Sequence, residues 1–265
     1  MSLDVQVVEP DVLRLRMRSW QGMLAGYEVS AYVVRGVLID TGFPRATREL
    51  HSALDTLAPR GVVVTHWHED HAGNAPSLAE RGLPMRMHPD CEARLRARPP
   101  IRAYRHLVWG ATARLEAPLE PFDPAPLAIV HLPGHTRDHV VVWDAERKVL
   151  VSGDLFLGVK VRVAHESESP RMLVTSLRTA AALEPRLLLD AHRGPLTDAA
   201  AKLRAKADWL VDRIYEIELL AARSWDERDI ARHVLGREAL VGWASWFEYS
   251  KIGLVRAVLR DARGP

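Results

Sequence analysis

The stretch GVVVTHWHEDHAG, residues 61–73, most constrains what this chain can fold into. Gly61 to Thr65 is a short β-branched run without polar alternation, which suits a strand buried on both faces. Three histidines and two acids then occupy the six positions from His66 to His71. A buried strand ending in so dense a patch is either a solvated turn rich in histidine or part of a metal site. Ligands elsewhere in the chain have to decide between the two.

The strand signal recurs. VQVV, VLRLRM, EVSAYVV and GVLID are short, β-branched and separated by Pro or Gly. GVLID ends at Thr41-Gly42, and FPRATRELHSAL follows with helical spacing. After the histidine patch, NAPSLAERG reads as a short helix and PMRMH as a strand. A helical, Arg-rich segment is expected from Pro89 to about Leu115, then a Pro-rich loop, APLEPFDPAP. LAIVHLPG, HVVVWD, KVLVSGD and RLLLDAH are strand-like, with a helical PRMLVTSLRTAAAL before the last. A long helix is expected over Asp198–Arg223, and Ser224 with Glu227 has the form of a capping box opening another. Alternating strands and helices give an α/β fold. Residues 1–197 form the expected main domain, and 198–265 a helical C-terminal segment.

At 265 residues the chain accommodates one large domain or two modest ones. Lys and Arg number 36 against 34 Asp and Glu, a net charge of +2, so bulk electrostatics do not call for nucleic acid. No apolar run reaches the roughly 18 residues of a membrane span. The N-terminus, MSLDVQVVEPDVLRLRM, lacks the hydrophobic block of a signal peptide. A cytoplasmic protein is expected, and the single Cys91 fits that expectation.

Residues i and i+2 of an extended segment point the same way, so His66 and His68 can reach one ion together. Asp70 and His71 lie past the bend and can face a second. Three further candidates follow strand-like runs: His135, Asp154 and His192. Glycine stands close to each, at Gly134, Gly153 and Gly194, and permits the tight turns such ligands need. With these residues the sequence resembles the metallo-β-lactamase superfamily of metallo-hydrolases. The match is His66-x-His68-x-Asp70-His71, His135 in LPGHT, Asp154 in SGD and His192 in AHRG, with Asp40-Thr41-Gly42 upstream.

The resemblance spans about residues 5 to 200 and implies an αββα sandwich with the metals at one edge of two sheets. It also implies that His66, His68 and His135 bind a first ion, that Asp70, His71 and His192 bind a second, and that Asp154 bridges them. Imidazole and carboxylate donors suit zinc first, with iron or manganese also accepted. A hydroxide between the ions is the expected nucleophile, with Asp70 moving protons. Two departures are visible: AHRG has Ala where the family usually has Gly, and GHTRDH lacks the usual Pro-Gly.

Asp40 is expected to order the metal loop through backbone hydrogen bonds, and His139 to stand behind the ligands. Glu69 is expected to be exposed and Trp67 to pack in the core. His165, between Asp154 and His192, is a candidate for assisting catalysis. Seven arginines lie between Arg86 and Arg114. They form either a solvated helical face or a lid that grips an anion, with Arg102 and Arg105 flanking Tyr104 as the foremost candidates. The tail resembles the helical, winged-helix-like tail of some family hydrolases, and its Trp243, Trp246, Phe247 and Tyr249 suit its own core or a homodimer contact better than a platform for stacking nucleic-acid bases. The function these features imply is dinuclear metal-dependent hydrolysis of a small, anionic ester, thioester or lactone. A phosphodiesterase or ribonuclease of the same fold is the alternative, and an iron-dependent oxidoreductase a further one.

Overall fold

Val62 and Val64 pack to one side of the strand Gly61–Val63 and Val63 to the other, so the valine run is buried on both faces. The computed structural model describes residues 1–19 and 28–263. They fall into two compact units. The first comprises Met1–His131, Asp138–Asp154 and Arg186–Thr197; the second comprises Leu132–Arg137, Leu155–Pro185 and Asp198–Pro265. The boundary expected after residue 197 is therefore one of several crossings, because two internal segments join the C-terminal residues.

The first unit holds two sheets. The first runs in order through β1 (Ser2–Glu9), β2 (Val12–Arg18), β3 (Val29–Val34), β4 (Val37–Ile39), β5 (Gly61–Val63) and β6 (Met85–Arg86). The first four strands are antiparallel neighbours, while β4, β5 and β6 are parallel. Parallel neighbours need crossovers. Helix α1 (Thr47–Leu57) supplies one, and the short α2 (Glu69–Ala72) and α3 (Ala75–Glu80) supply the other. The second sheet contains β7 (Ala128–His131), β8 (Val140–Asp144), β9 (Val149–Gly153), β11 (Leu187–Asp190) and β12 (Gly194–Thr197). Its order is β12-β11-β9-β8-β7, and β9 and β11 run parallel.

The period of two decides where each side chain goes. Tyr32, Val34, Val37, Ile39 and Val63 meet Val142, Val149, Val151, Leu187 and Leu189 between the sheets. Val29, Ala31, Val33, Leu38 and Val62 face the other way, towards Leu50, Leu54, Ala75 and Leu78 of the helices. Helix α4 (Pro89–Ala97) adds Cys91 and Leu95 to that second core. The continuous helix expected from Pro89 to Leu115 is broken. Arg98 turns left-handed at φ 46° before Pro99-Pro100, and α5 covers only Ala103–Trp109. Two successive prolines cannot donate backbone hydrogen bonds, which ends α4.

The second unit contains β10 (Ala164–His165), paired with β13 (Tyr249–Ser250), and the helices α6 (Pro170–Ala182), α7 (Ala199–Ala222), α8 (Glu227–Ile230), α9 (Leu240–Ala244) and α10 (Lys251–Ala262). The expected capping box is replaced. Asp226, not Ser224, caps α8, accepting from the Arg228 and Asp229 N–H groups, and Ser224 lies in a left-handed turn at φ 64°. Trp243, Trp246 and Phe247 are 62%, 62% and 42% exposed, so of their two expected roles they do not fill the tail's core. No described helix is long and apolar enough to cross a membrane.

The core between the sheets carries a direct test. Ile39 is fully buried there. Ile39→Ala is expected to lower unfolding stability by about 2–5 kcal/mol. Urea unfolding measures this, with Ile129→Ala, at a partly buried position, as the milder control.

Candidate metal centre

Parallel strands deliver their carboxyl ends to one edge, and crevices at such ends are where ligands bind in α/β sheets. Asp40 follows β4, His66 and His68 follow β5, Asp154 follows β9 and His192 follows β11. The Ser30 N–H donates to the Ala191 carbonyl at 2.7 Å, and the Tyr32 hydroxyl to the Asp190 carbonyl at 2.7 Å. Those bonds tie the end of β11 to β3.

The ligand candidates of the first unit gather in two groups. His66, His68 and Asp154 offer donor atoms within 4.8 Å of one another, as do Asp70, His71 and His192. Asp154 also reaches into the second group. Its Oδ1 lies 3.1 Å from His71 Nε2 and 3.2 Å from His192 Nε2. His192 Nε2 is 3.4 Å from Asp70 Oδ2.

Buried acceptors behind the rings fix which nitrogens carry protons. His71 Nδ1 lies 2.7 Å from Asp40 Oδ2, and His192 Nδ1 lies 2.9 Å from the Glu28 carbonyl. A carboxylate and a carbonyl can only accept, so both rings protonate at Nδ1 and turn the Nε2 lone pair inward. His66 follows by relay. Thr65 Oγ1 donates to Asp40 Oδ2 at 2.9 Å and so faces His66 Nδ1, 3.1 Å away, with an acceptor lone pair. His66 Nε2 is thereby left to face His68 Nδ1 at 2.9 Å.

These donors fit divalent ions. His71 Nε2 is buried, forms no hydrogen bond and faces the Asp154 carboxylate. Two electron pairs so close repel unless positive charge stands between them. Protonation supplies that charge when no ion does. Burial alone would lower the His192 pKa, but the Asp154 and Asp70 charges raise it from 6.5 to about 9. Burial likewise opposes charge on His71, and Asp154, Asp40 and Asp70 raise its pKa well above the usual value. Asp154 is held well below the ordinary carboxylate range: burial opposes ionisation, and His71 and His192 overcome it.

The other expected residues are placed as follows. Asp40 Oδ1 accepts the Thr65 N–H at 2.7 Å. His139 Nε2 accepts the Asp154 N–H at 3.1 Å. Glu69 is 2% exposed, which overturns the expectation of a solvent-facing side chain. Arg105 accounts for its burial. That guanidinium is 5% exposed, and its Nε donates to Glu69 Oε2 at 3.0 Å. Arg105 thus turns inward, while Arg102 is exposed at the start of α5. In the second unit, His135 is buried with Nδ1 3.5 Å from Glu168 Oε2. His165 Nδ1 lies 2.6 Å from Ser167 Oγ. Asp138 and Asp190 were not singled out by the sequence reading. Asp138 Oδ2 accepts the Trp67 N–H at 2.9 Å, and Asp190 Oδ1 accepts the N–H groups of His192 and Arg193 at 2.9 and 2.8 Å. The available signal was an acid immediately before His139 and another two residues before His192.

The profile of the metallo-beta-lactamase superfamily matches residues 25–215. The beta-lactamase-like protein 2 homolog of Caenorhabditis elegans is 27% identical over 167 residues, 61% of this chain and 53% of that protein. An atrochrysone carboxyl ACP thioesterase of Aspergillus fumigatus is 30% identical over 174 residues, 63% of this chain and 37% of that protein. The chain thus spans about half the length, or less, of these curated relatives. Among solved structures, a beta-lactamase domain protein from Burkholderia ambifaria superposes with a TM-score of 0.72 at 19% identity, covering 98% of this chain and 88% of that one. A metallo-beta-lactamase family protein from Thermus thermophilus gives 0.67 at 18% identity, covering 97% and 95%. The ordered motifs, the mixed α/β fold and the profile match agree: this chain belongs to the metallo-β-lactamase superfamily.

Proposed function

We propose that this protein is a dinuclear metal-dependent hydrolase of a small anionic thioester, ester or lactone. The observation that carries the reading is the position of the Asp154 carboxylate. It is grouped with His66 and His68, yet lies 3.1 and 3.2 Å from the inward nitrogens of His71 and His192. A carboxylate shared by two donor groups is suited to bridging two ions. His66 and His68, with His135 assigned from the Gly134-His135-Thr136 motif, would hold the first ion. Asp70, His71 and His192 would hold the second. Nitrogen and carboxylate donors without thiolate suit zinc, with iron or manganese as further occupants. Such ions, when bound, supply a water-derived nucleophile at neutral pH and polarise the scissile carbonyl. Asp70 is the residue placed to carry a proton.

The thioesterase among the relatives supports thioesters as the first substrates to try. Arg102 is the better candidate for gripping an anion, because it is exposed whereas Arg105 is buried on Glu69. His165 keeps its proposed assisting role, and the exposed Trp243, Trp246 and Phe247 suit a homodimer contact. Cytoplasmic action is part of the same proposal.

A substrate panel tests the reading most directly. Protein loaded with zinc is expected to hydrolyse acyl thioesters or lactones in preference to bis(p-nitrophenyl) phosphate; the reverse preference sinks the proposal in favour of the phosphodiesterase. Asp154→Ala should lose hydrolysis and bind fewer metal ions by elemental analysis while keeping its circular dichroism. One tightly held ion per wild-type chain in excess metal would refute the dinuclear assignment.

The two arginines should separate. Arg102→Ala is expected to raise KM for an anionic substrate more than for its neutral analogue, with a smaller loss of stability than Arg105→Ala. Arg105→Ala leaves Glu69 buried without its cation and should cost about 3–5 kcal/mol of stability. Equal effects of the two variants on KM and on urea unfolding would contradict this division.

Protein stripped by a chelator provides a pH test. The raised His192 pKa contributes stability that is fully present below its unfolded value of 6.5 and is lost as pH rises through about 9. The depressed Asp154 pKa contributes stability present above 3.8 and lost only under stronger acid. Stripped protein should therefore melt at lower temperature as pH rises from 6.5 through about 9, and His192→Ala should flatten that slope. A slope unchanged in the variant would remove His192 as its source.

A further inference from the structure

Beyond the metal ligands, we propose that Asp138 is a positioning residue: its carboxylate holds the backbone between His66 and His68 so that both rings meet one ion. The inference rests on the metal-site reading above. Both residues that flank His66 are held by the entrance to β8. The Val140 N–H donates to the Thr65 carbonyl at 2.8 Å, and the Trp67 N–H donates to Asp138 Oδ2 at 2.9 Å. Trp67 lies between the two histidines, so its peptide sets the direction of both. β5 ends at Val63, and beyond it no sheet ladder fixes the backbone that carries these rings. Metal donors must be held within about 0.5 Å of their working positions, and such accuracy comes from bonds to the supporting shell.

The residue between Asp138 and Val140 extends the same arrangement to the other metal loop. His139 Nε2 accepts the Asp154 N–H at 3.1 Å. Three successive residues therefore grip the loop after β5 and the loop after β9. The fit around them is close. A Cβ on Gly153, where φ is +49°, would come within 2.9 Å of both His139 Nε2 and Thr65 Oγ1.

Asp138 is 2% exposed, and a carboxylate is costly to bury when an amide would fill the same space. An ionised acceptor makes a shorter and stronger bond to a backbone N–H, which suits a holding role. Its other contact is the Cys91 thiol. Burial, together with the Asp138 charge and hydrogen bond, raises that thiol's pKa well above the usual value. Cys91 therefore stays protonated and serves as a hydrogen-bond donor to Asp138.

The test uses cobalt(II) as the probe and the full chain. Asp138→Ala is expected to weaken cobalt binding about 10- to 100-fold, measured by chelator competition, and to alter the visible spectrum of the bound ion. Asp138→Asn keeps an acceptor oxygen but loses the charge, and should fall between wild type and Asp138→Ala in both measurements. Cys91→Ala should match wild type. Should Asp138→Ala fail to fold, Asp138→Ser, too short to reach Trp67, takes its place. Urea unfolding of the stripped proteins separates packing from positioning: lower stability with unchanged cobalt affinity and spectrum overturns the proposal. It is also overturned if Asn is as harmful as Ala, or if Cys91→Ala reproduces the loss. Wild-type protein that takes up no cobalt overturns the metal-site reading and this proposal together, whereas normal uptake in every variant overturns this proposal alone.

Discussion

The three hydrogen bonds accepted by the Asp40 carboxylate determine how the rest of the centre is arranged. Oδ1 takes the Thr65 N–H, and Oδ2 takes the Thr65 hydroxyl and the His71 Nδ1–H. Because an ionised carboxylate only accepts, each donor must commit its proton there. The Thr65 hydroxyl then turns a lone pair to His66. One residue thereby selects the tautomer of a histidine in each ligand group and turns both Nε2 atoms inward. Asp40 does this from a left-handed backbone at φ 64°, a conformation that costs a non-glycine residue about 1–3 kcal/mol. The bonds to Thr65 and to His71 of α2 hold it there.

Asp40 is one of several buried acids at this edge, and each is compensated differently. Asp190 and Asp138 accept backbone N–H groups. Glu69 faces Arg105, although burial still raises its pKa. Asp154 and Asp70 face histidines whose own protons are held elsewhere. The first three are satisfied by protein groups alone. Asp154 and Asp70 face the inward nitrogens of those imidazoles, which offer either a proton to the carboxylates or a lone pair to a cation. Carboxylates facing imidazole nitrogens make a donor set a cation can use, whereas Asp190 is occupied by backbone N–H groups, and this difference is the physical ground for looking for metal here and not around Asp190.

The strands and ligand motifs were legible because both rest on short-range regularities. Continuous β-branched apolar runs mark β3, β4 and β5, and a ligand directly after a buried run needs no knowledge of its partners. What escaped depends on chain segments far apart. Glu69 looked exposed because its partner, Arg105, lies 36 residues away. Asp138 gave no periodic signal, and its carboxylate meets a backbone 71 residues earlier. Local rules also competed. Ser224-x-x-Glu227 matched a capping box, but Asp226 lies closer to the first turn and supplies the cap. The Arg-rich segment kept helical spacing across Pro99-Pro100, where the missing N–H groups outweigh the pattern.

The same segment shows why charge alone does not identify a substrate clamp. Arg94 lies 3.6 Å above the Trp67 ring, Arg96 donates to Glu92 and to the Leu115 carbonyl, and Arg105 is buried on Glu69. Trp67 and Glu69 both belong to the loop that carries His66 and His68. Arg94 and Arg105 therefore brace the histidine loop from α4 and α5, an arrangement that needs guanidinium planarity for stacking and forked bonding, while Arg96 ties α4 to the segment that follows α5. Arg98 and Arg102 remain exposed, on either side of the proline break. The break gives the segment two uses: Arg94 and Arg105, one on each helix, hold the loop, and the irregular turn between the helices presents Arg98 and Arg102 to solvent.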